Sequence, residues 1–158
     1  MNSGRKRVLN ILPLPAFLFL ASCTHTFKEY QKDVFGNYRW TNDASVNFTP
    51  LIEDTTRKYR VSIGLRHLYG IQDKQINIKL SWAAPDGASV QASHTIQLRK
   101  ANGDYVSSCG GDLCDIEVVV LSAVQFDQPG EYEMTIALDQ PDNVLGVMEV
   151  GLIIDTVD

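Results

Sequence analysis

From residue 44 onward the chain alternates apolar and polar residues with few breaks. Tyr59, Val61, Ile63 and Leu65 take one face of a segment whose other face holds Lys58, Arg60, Ser62 and Arg66. A period of two is the mark of a half-buried strand, because successive side chains in an extended chain point to opposite sides. Ile76, Ile78, Leu80 and Trp82 repeat the pattern against Asn77, Lys79 and Ser81. Val90, Ala92, His94, Ile96 and Leu98 form a third inward row, and Tyr132, Met134, Ile136 and Leu138 a fourth. Val46, Phe48 and Ile52 open the domain, with Pro50 marking an edge or bulge, and Met148, Val150, Leu152 and Ile154 close it. Ile116 to Leu121 is apolar on both faces apart from Glu117. Its valines favour a fully buried strand over a short helix. Turn residues separate these rows at Pro85-Asp86-Gly87, Asn102-Gly103, Gln128-Pro129-Gly130 and Gln140-Pro141-Asp142-Asn143. No stretch keeps the 3.6-residue period of an amphipathic helix. Seven or eight short strands spaced by turns predict an all-β fold, an antiparallel β-sandwich of immunoglobulin-like or jelly-roll-like type, over residues 44–158.

Upstream the pattern changes twice. Residues 24–43 are polar with scattered aromatics and keep neither period, so 23–43 reads as a tether whose Trp40 plugs the start of the core. Ahead of it, Arg5-Lys6-Arg7 precedes an apolar run from Val8 to Leu20, then Ala21-Ser22-Cys23. Charge, apolar stretch and small residues before a cut make residues 1–22 a secretory signal. The run is shorter than the roughly 20 apolar residues that span a bilayer. Leu20-Ala21-Ser22-Cys23 resembles the bacterial lipobox. That resemblance implies cleavage before Cys23, a diacylglyceryl thioether on its sulfur and acylation of the new amino terminus. Two or more chains make a stable anchor where one does not.

Charge narrows the partners. The whole chain carries −5, and the basic leader contains no acidic residue, so its removal deepens the deficit. An acidic surface disfavours nucleic acid, which calls for a basic patch. Export also bears on the cysteines. With Cys23 acylated, Cys109 and Cys114 remain and read as a disulfide. A metal pair is disfavoured, because no second Cys/His pair lies nearby to complete a ligand set.

No catalytic constellation emerges. His25, His67 and His94 are isolated, Glu131 and Glu133 lie on an outward face, and no nucleophile elbow, metal motif or phosphate loop is present. The expectation is a non-enzymatic protein with no cofactor and no metal. One loop differs: Arg66-His67-Leu68-Tyr69-Gly70 places a cation, an imidazole and two large apolar groups at a sheet end. Arg66, His67, Leu68 and Tyr69 are therefore the candidate partner-binding residues, since arginine and tyrosine are favoured interface anchors.

Read together, several segments resemble the GldH family of gliding-motility lipoproteins from Bacteroidetes. They are the lipobox cysteine and aromatic lead-in, Val61-Ser62-Ile63-Gly64-Leu65-Arg66-His67 with Tyr69, and Pro85-Asp86-Gly87. Gly111-Asp112, Phe126 to Tyr132 and Leu145 to Ile154 complete the likeness. The resemblance implies a lipoprotein of the cell envelope, anchored in the outer membrane on its periplasmic face or surface. It implies contacts with other envelope proteins of a gliding-motility or type IX secretion assembly. The alternative is a sandwich module that binds a glycan, which a row of exposed aromatics on one sheet face would favour.

Overall fold

The structure is a computed structural model and describes residues 26–157. Cys23, His25 and the leader lie outside the described residues. Thirteen strands follow in chain order: β1 (Phe27–Lys32), β2 (Arg39–Trp40), β3 (Ser45–Phe48), β4 (Leu51–Ile52), β5 (Lys58–Leu68), β6 (Gln75–Ala83) and β7 (Ser89–Gln97), then β8 (Ser108–Gly110), β9 (Leu113–Val124), β10 (Gly130–Glu131), β11 (Glu133–Leu138), β12 (Val144–Leu145) and β13 (Val147–Val157). They form a five-stranded sheet in the order β1-β13-β5-β9-β8 and a four-stranded sheet in the order β3-β11-β6-β7. Two short ribbons, β10-β4 and β12-β2, complete the set. All pairings are antiparallel.

The inward rows of both sheets meet in one apolar cluster, so the fold is a β-sandwich as the alternation predicted. Val61, Ile63 and Leu65 of β5 and Val150, Leu152 and Ile154 of β13 are buried from one side. Ile76, Ile78 and Leu80 of β6 and Met134 and Ile136 of β11 are buried from the other. Trp40 is fully buried, stacks on Phe35 at 4.9 Å and donates its indole N–H to the Ala44 carbonyl at 3.1 Å. Burying the ring with its one donor satisfied avoids the penalty of an orphaned polar group.

Three expectations need correction. The segment read as a tether contains β1, which pairs residue for residue with β13 from Phe27↔Ile154 to Lys32↔Glu149. The sandwich therefore begins at Phe27 and not at residue 44. β1 shows no alternation in hydropathy because both of its faces are partly covered, with Phe27 and Gln31 half-buried on one and Tyr30 on the other. The stretch from Ile116 to Leu121 is a strand but is not fully buried. Ile116, Val118 and Val120 are half-buried and Val119 is 51% exposed. The expected loop around Cys109 and Cys114 is a hairpin, with β8 and β9 joined through Gly111 at φ 62° and the two cysteines paired across it in a disulfide.

Candidate functional site

The outer face of the five-stranded sheet is organised in rows that run across the strands. In one row Lys32 of β1 stands beside Glu149 of β13, Glu149 beside Arg66 of β5, and Arg66 beside Asp115 of β9. The signs alternate, and the contacts follow. Arg66 donates to both carboxylate oxygens of Asp115, at 2.8 and 3.1 Å, and to Glu149 at 3.3 Å. Lys32 reaches Glu149 at 3.9 Å. A bidentate guanidinium pair is the strongest geometry for such contacts. Arg66 is about one-third exposed, so screening limits its worth to the range of a surface pair.

Two residues along each strand lies a row of a different kind: Tyr30, Gly151, Gly64 and Glu117. The glycines leave a slot in the face, and the Tyr30 ring fills it. A Cβ built at Gly64 would stand 2.2 Å from the Tyr30 hydroxyl oxygen, and one at Gly151 2.6 Å from its ring carbons. Glycine in a strand interior is uncommon and signals close approach of another group. Tyr30 also borders an open groove of about 490 Å³ with Lys32, Arg66, Asp115, Glu117 and Glu149. Burial first, then the carboxylates of Glu117 and Asp115, hold the Tyr30 hydroxyl above its ordinary pKa.

The sheet end treats the four candidate residues differently. Arg66 points to the outer face, as its register predicts. Tyr69 is 60% exposed, and Leu68 is half-buried. His67 is fully buried, which removes it from any contact surface. The reason is the alternation itself: β5 runs on to Leu68, so position 67 faces inward like 61, 63 and 65. Ile71 is also buried. Arg66 and Tyr69 are not brought together. Tyr69 packs instead on Tyr105 at 5.2 Å, and Tyr105 lies under the Arg99 guanidinium at 3.9 Å. Leu68, Tyr69 and Leu145 line a second depression of about 280 Å³, and Leu145 is 55% exposed.

His67 has a partner that the sequence did not reveal. Its Nδ1 lies 3.0 Å from the Leu68 carbonyl, which can only accept, so Nδ1 carries the proton. Nε2, 2.8 Å from Ser107 Oγ, then accepts from the hydroxyl. Serine hydrogen-bonded to an oriented imidazole is the arrangement of an activated nucleophile. Here the imidazole is wholly buried, Ser107 is 8% exposed, and neither borders the groove or the end depression. The pair ties β5 to the segment entering β8. Burial, chiefly, holds the imidazole pKa below its ordinary value and keeps the ring neutral. Among the described residues no three His, Cys, Asp or Glu side chains are grouped to hold a metal ion.

Sequence reading missed Tyr30, Gly64, Gly151, Glu117 and Glu149 of the groove with Lys32 and Asp115, and Leu145 and Ser107 elsewhere. The two mid-strand glycines were the available signal.

The chain is 24% identical over 131 residues to a protein of Christiangramia forsetii named gliding motility lipoprotein GldH homolog, covering 79% of this chain and 81% of that one. Among solved structures, the enzymatically active domain of bacteriophage CBA120 tailspike protein 4 matches with a TM-score of 0.33 and 15% identity. The infectious bursal disease virus Gx strain structure matches with a TM-score of 0.31 and 13% identity. This chain spans 18% and 37% of those two chains, and at such scores neither likeness carries an argument. The family model described as GldH lipoprotein matches residues 25–154, nearly the whole sandwich, and the chain belongs to that family.

Proposed function

We propose that this protein is a lipid-anchored component of the cell envelope that supports a gliding-motility or type IX secretion-associated assembly through protein contacts, without catalysis. The acylated Cys23 holds it in the outer membrane, and the sheet end carrying Leu68, Tyr69 and Leu145 is the contact surface.

The polarity of β1 carries this reading. Three residues separate Cys23 from Phe27, a reach of about 14 Å at full extension. β1 enters the sheet at Phe27, paired with Ile154, and leaves at Lys32, paired with Glu149. Val147, just beyond Glu149, is opposite His67. The exposed Tyr69 and Leu145 therefore stand at the end away from the anchor, about 24 Å along the strands at 3.4 Å per residue. Exposed apolar and aromatic groups gathered at one end favour a protein partner. The glycan alternative has less support. Among the described residues Tyr30 is the single aromatic on the outer face of the five-stranded sheet, and its ring is seated on the glycines.

The test is crosslinking in the native envelope. Cys23→Ser should release the protein from the membrane fraction. The double variant Tyr69→Ser/Leu145→Ser should stay in that fraction with an unchanged melting temperature, yet lose the crosslinked species of the wild type. An unchanged crosslinking pattern in the double variant would refute the proposed surface.

A further inference from the structure

The five-stranded sheet has an open edge. β8 pairs only with Leu113, Cys114 and Asp115, so β9 from Ile116 to Val124 has no neighbour on its outer side among the described residues. The hairpin fixes which backbone groups face that edge. Cys109 and Cys114 stand with Cα atoms 4.0 Å apart, the short spacing of a non-hydrogen-bonded pair. The N–H and C=O groups of Leu113 and Asp115 therefore face β8, and alternation carries those of Glu117 and Val119 outward to solvent.

Unpaired strand edges are usually protected by charge, shortness or proline. β1 carries Lys28, Glu29 and Lys32, and β3 has four residues. β7 is mainly Ser, Gln, Thr and His. β9 has neither defence to the same degree. It offers Val118-Val119-Val120-Leu121 with Glu117 as the one charge from Ile116 to Val124. A shift in register opposite Val61 turns Leu121 inward with Val120, leaving Val119 and Glu117 on the outer face.

Charge selects the occupant. Arg66 is engaged by Asp115 and Glu149, and Lys32 by Glu149. Glu117 forms no ion pair among the described residues. It borders the groove together with Tyr30, whose hydroxyl has no hydrogen-bond partner among the described residues. The Tyr30 hydroxyl senses a field in which Glu117 and Asp115 outweigh Arg66. Lys28 Nζ lies 5.9 Å from the Tyr30 ring centroid, so the ring face already has a cation. At the Glu117 corner a further cation is the complement of the carboxylate, with the Tyr30 hydroxyl oxygen as a second acceptor.

We propose that β9 takes an added strand from a partner protein, antiparallel to it over Ile116–Leu121, with a lysine side chain lodged between Glu117 and Tyr30. Main-chain bonds at Glu117 and Val119 supply the docking, and the groove supplies the choice of side chain, as in strand addition generally. This rests on the protein-contact reading above and adds to it a second surface with a stated chemistry.

The test uses the full-length lipidated protein in nanodiscs, with hydrogen exchange read by mass spectrometry. The probes are the blocked peptide Thr-Val-Lys-Val-Thr-Val-Thr and its Lys-to-Glu counterpart. The lysine peptide should slow exchange in Ile116–Ser122 and leave β7 unaffected, and the glutamate peptide should do neither. Glu117→Gln should weaken the lysine peptide about two- to five-fold, the worth of one exposed ion pair. Glu117→Lys should reverse the preference. Val119→Pro removes an outward N–H without touching the β5 ladder, so it should abolish protection at an unchanged melting temperature. Val119→Lys keeps the proposal testable should the proline variant misfold. No protection at millimolar peptide, or equal protection by both peptides, overturns the proposal. Self-association of the protein alone, abolished by Val119→Lys, would assign the edge to a second copy and also overturn it. Loss of this proposal with the Tyr69 and Leu145 crosslinks intact would leave the protein-contact reading standing.

Discussion

Gly64→Ala isolates the tyrosine slot. The added methyl would sit 2.2 Å from the Tyr30 hydroxyl oxygen and 2.6 Å from Cζ, so the ring must leave. The atoms struck are the far end of a flexible side chain, and the backbone can stay in place. The cost is then the burial that the ring loses. An aromatic side chain buries roughly 150–250 Å² when fully covered. Tyr30 is half-buried, and giving up about a third of that area at about 25 cal/mol per Å² costs about 1–2 kcal/mol. Alanine restricts the unfolded chain and returns about 0.4–1 kcal/mol. The net destabilisation is about 1 kcal/mol, near 4 °C in melting temperature for a domain of this size. Urea melts of wild type, Gly64→Ala, Tyr30→Ala and the double variant close a thermodynamic cycle. In the Tyr30→Ala background Gly64→Ala should be neutral or stabilising, giving a coupling of about 1–2 kcal/mol. An equal loss in both backgrounds would refute the slot and place the clash in the backbone.

Reducing the Cys109–Cys114 disulfide should leave the sandwich folded. Its loop is small, with a sequence separation of 5, and the chain-entropy model gives it about 2 kcal/mol. Exchange should quicken in β8 and the start of β9 alone, and global unfolding on reduction would contradict this. Acidification should destabilise the fold through His67. Burial lowers its folded pKa, so below the ordinary 6.5 the unfolded chain takes a proton that the folded chain refuses. Stability is therefore full above 6.5 and falls as pH drops from there toward the folded value. His94 contributes with the same sign, its pKa also lowered by burial. Urea melts across this window should show a shallower fall for His67→Gln than for wild type, and identical slopes would assign the acid sensitivity elsewhere.

The strands that could be read from sequence were those with one face in the core and one in water. β5, β6 and β11 alternate because burial is one-sided and the pleat has period two. β1 escaped notice because what holds it is the pairing partner β13 and a slot on the outer face, and neither leaves a period in its own residues. Val90 was placed inward by its row, yet it is 51% exposed where β7 begins at the sheet margin. The site was less legible for a related reason. Lys32, Glu149, Arg66 and Asp115 lie on four strands that are scattered through the chain, so their alternation exists only across the sheet. Ser107 and His67 are 40 residues apart and meet through the β8–β9 hairpin. At the sheet end Tyr69 is exposed, while the alternation of β5 extended by one step sends His67 inward.

The same sheet order bears on how a tethered assembly would carry load. On the proposed anchoring, force enters at Phe27 and leaves at the end that carries Tyr69 and Leu145. Its direction is then along the strands and not across them. The six pairs of β1 with β13 are loaded together in shear, and none is peeled first. The Tyr30 ring, seated between Gly151 and Gly64, resists the sliding that shear demands: a slip of one residue would turn it to the other face, and a slip of two would set it opposite Ile153 or Glu149 in place of glycine. The open edge of β9 lies three strand spacings from β1, about 14 Å at 4.8 Å per strand. A strand added there leaves the anchoring strand untouched. Tether, end surface and open edge thus occupy different margins of one sheet, and a partner at either surface need not displace the anchor.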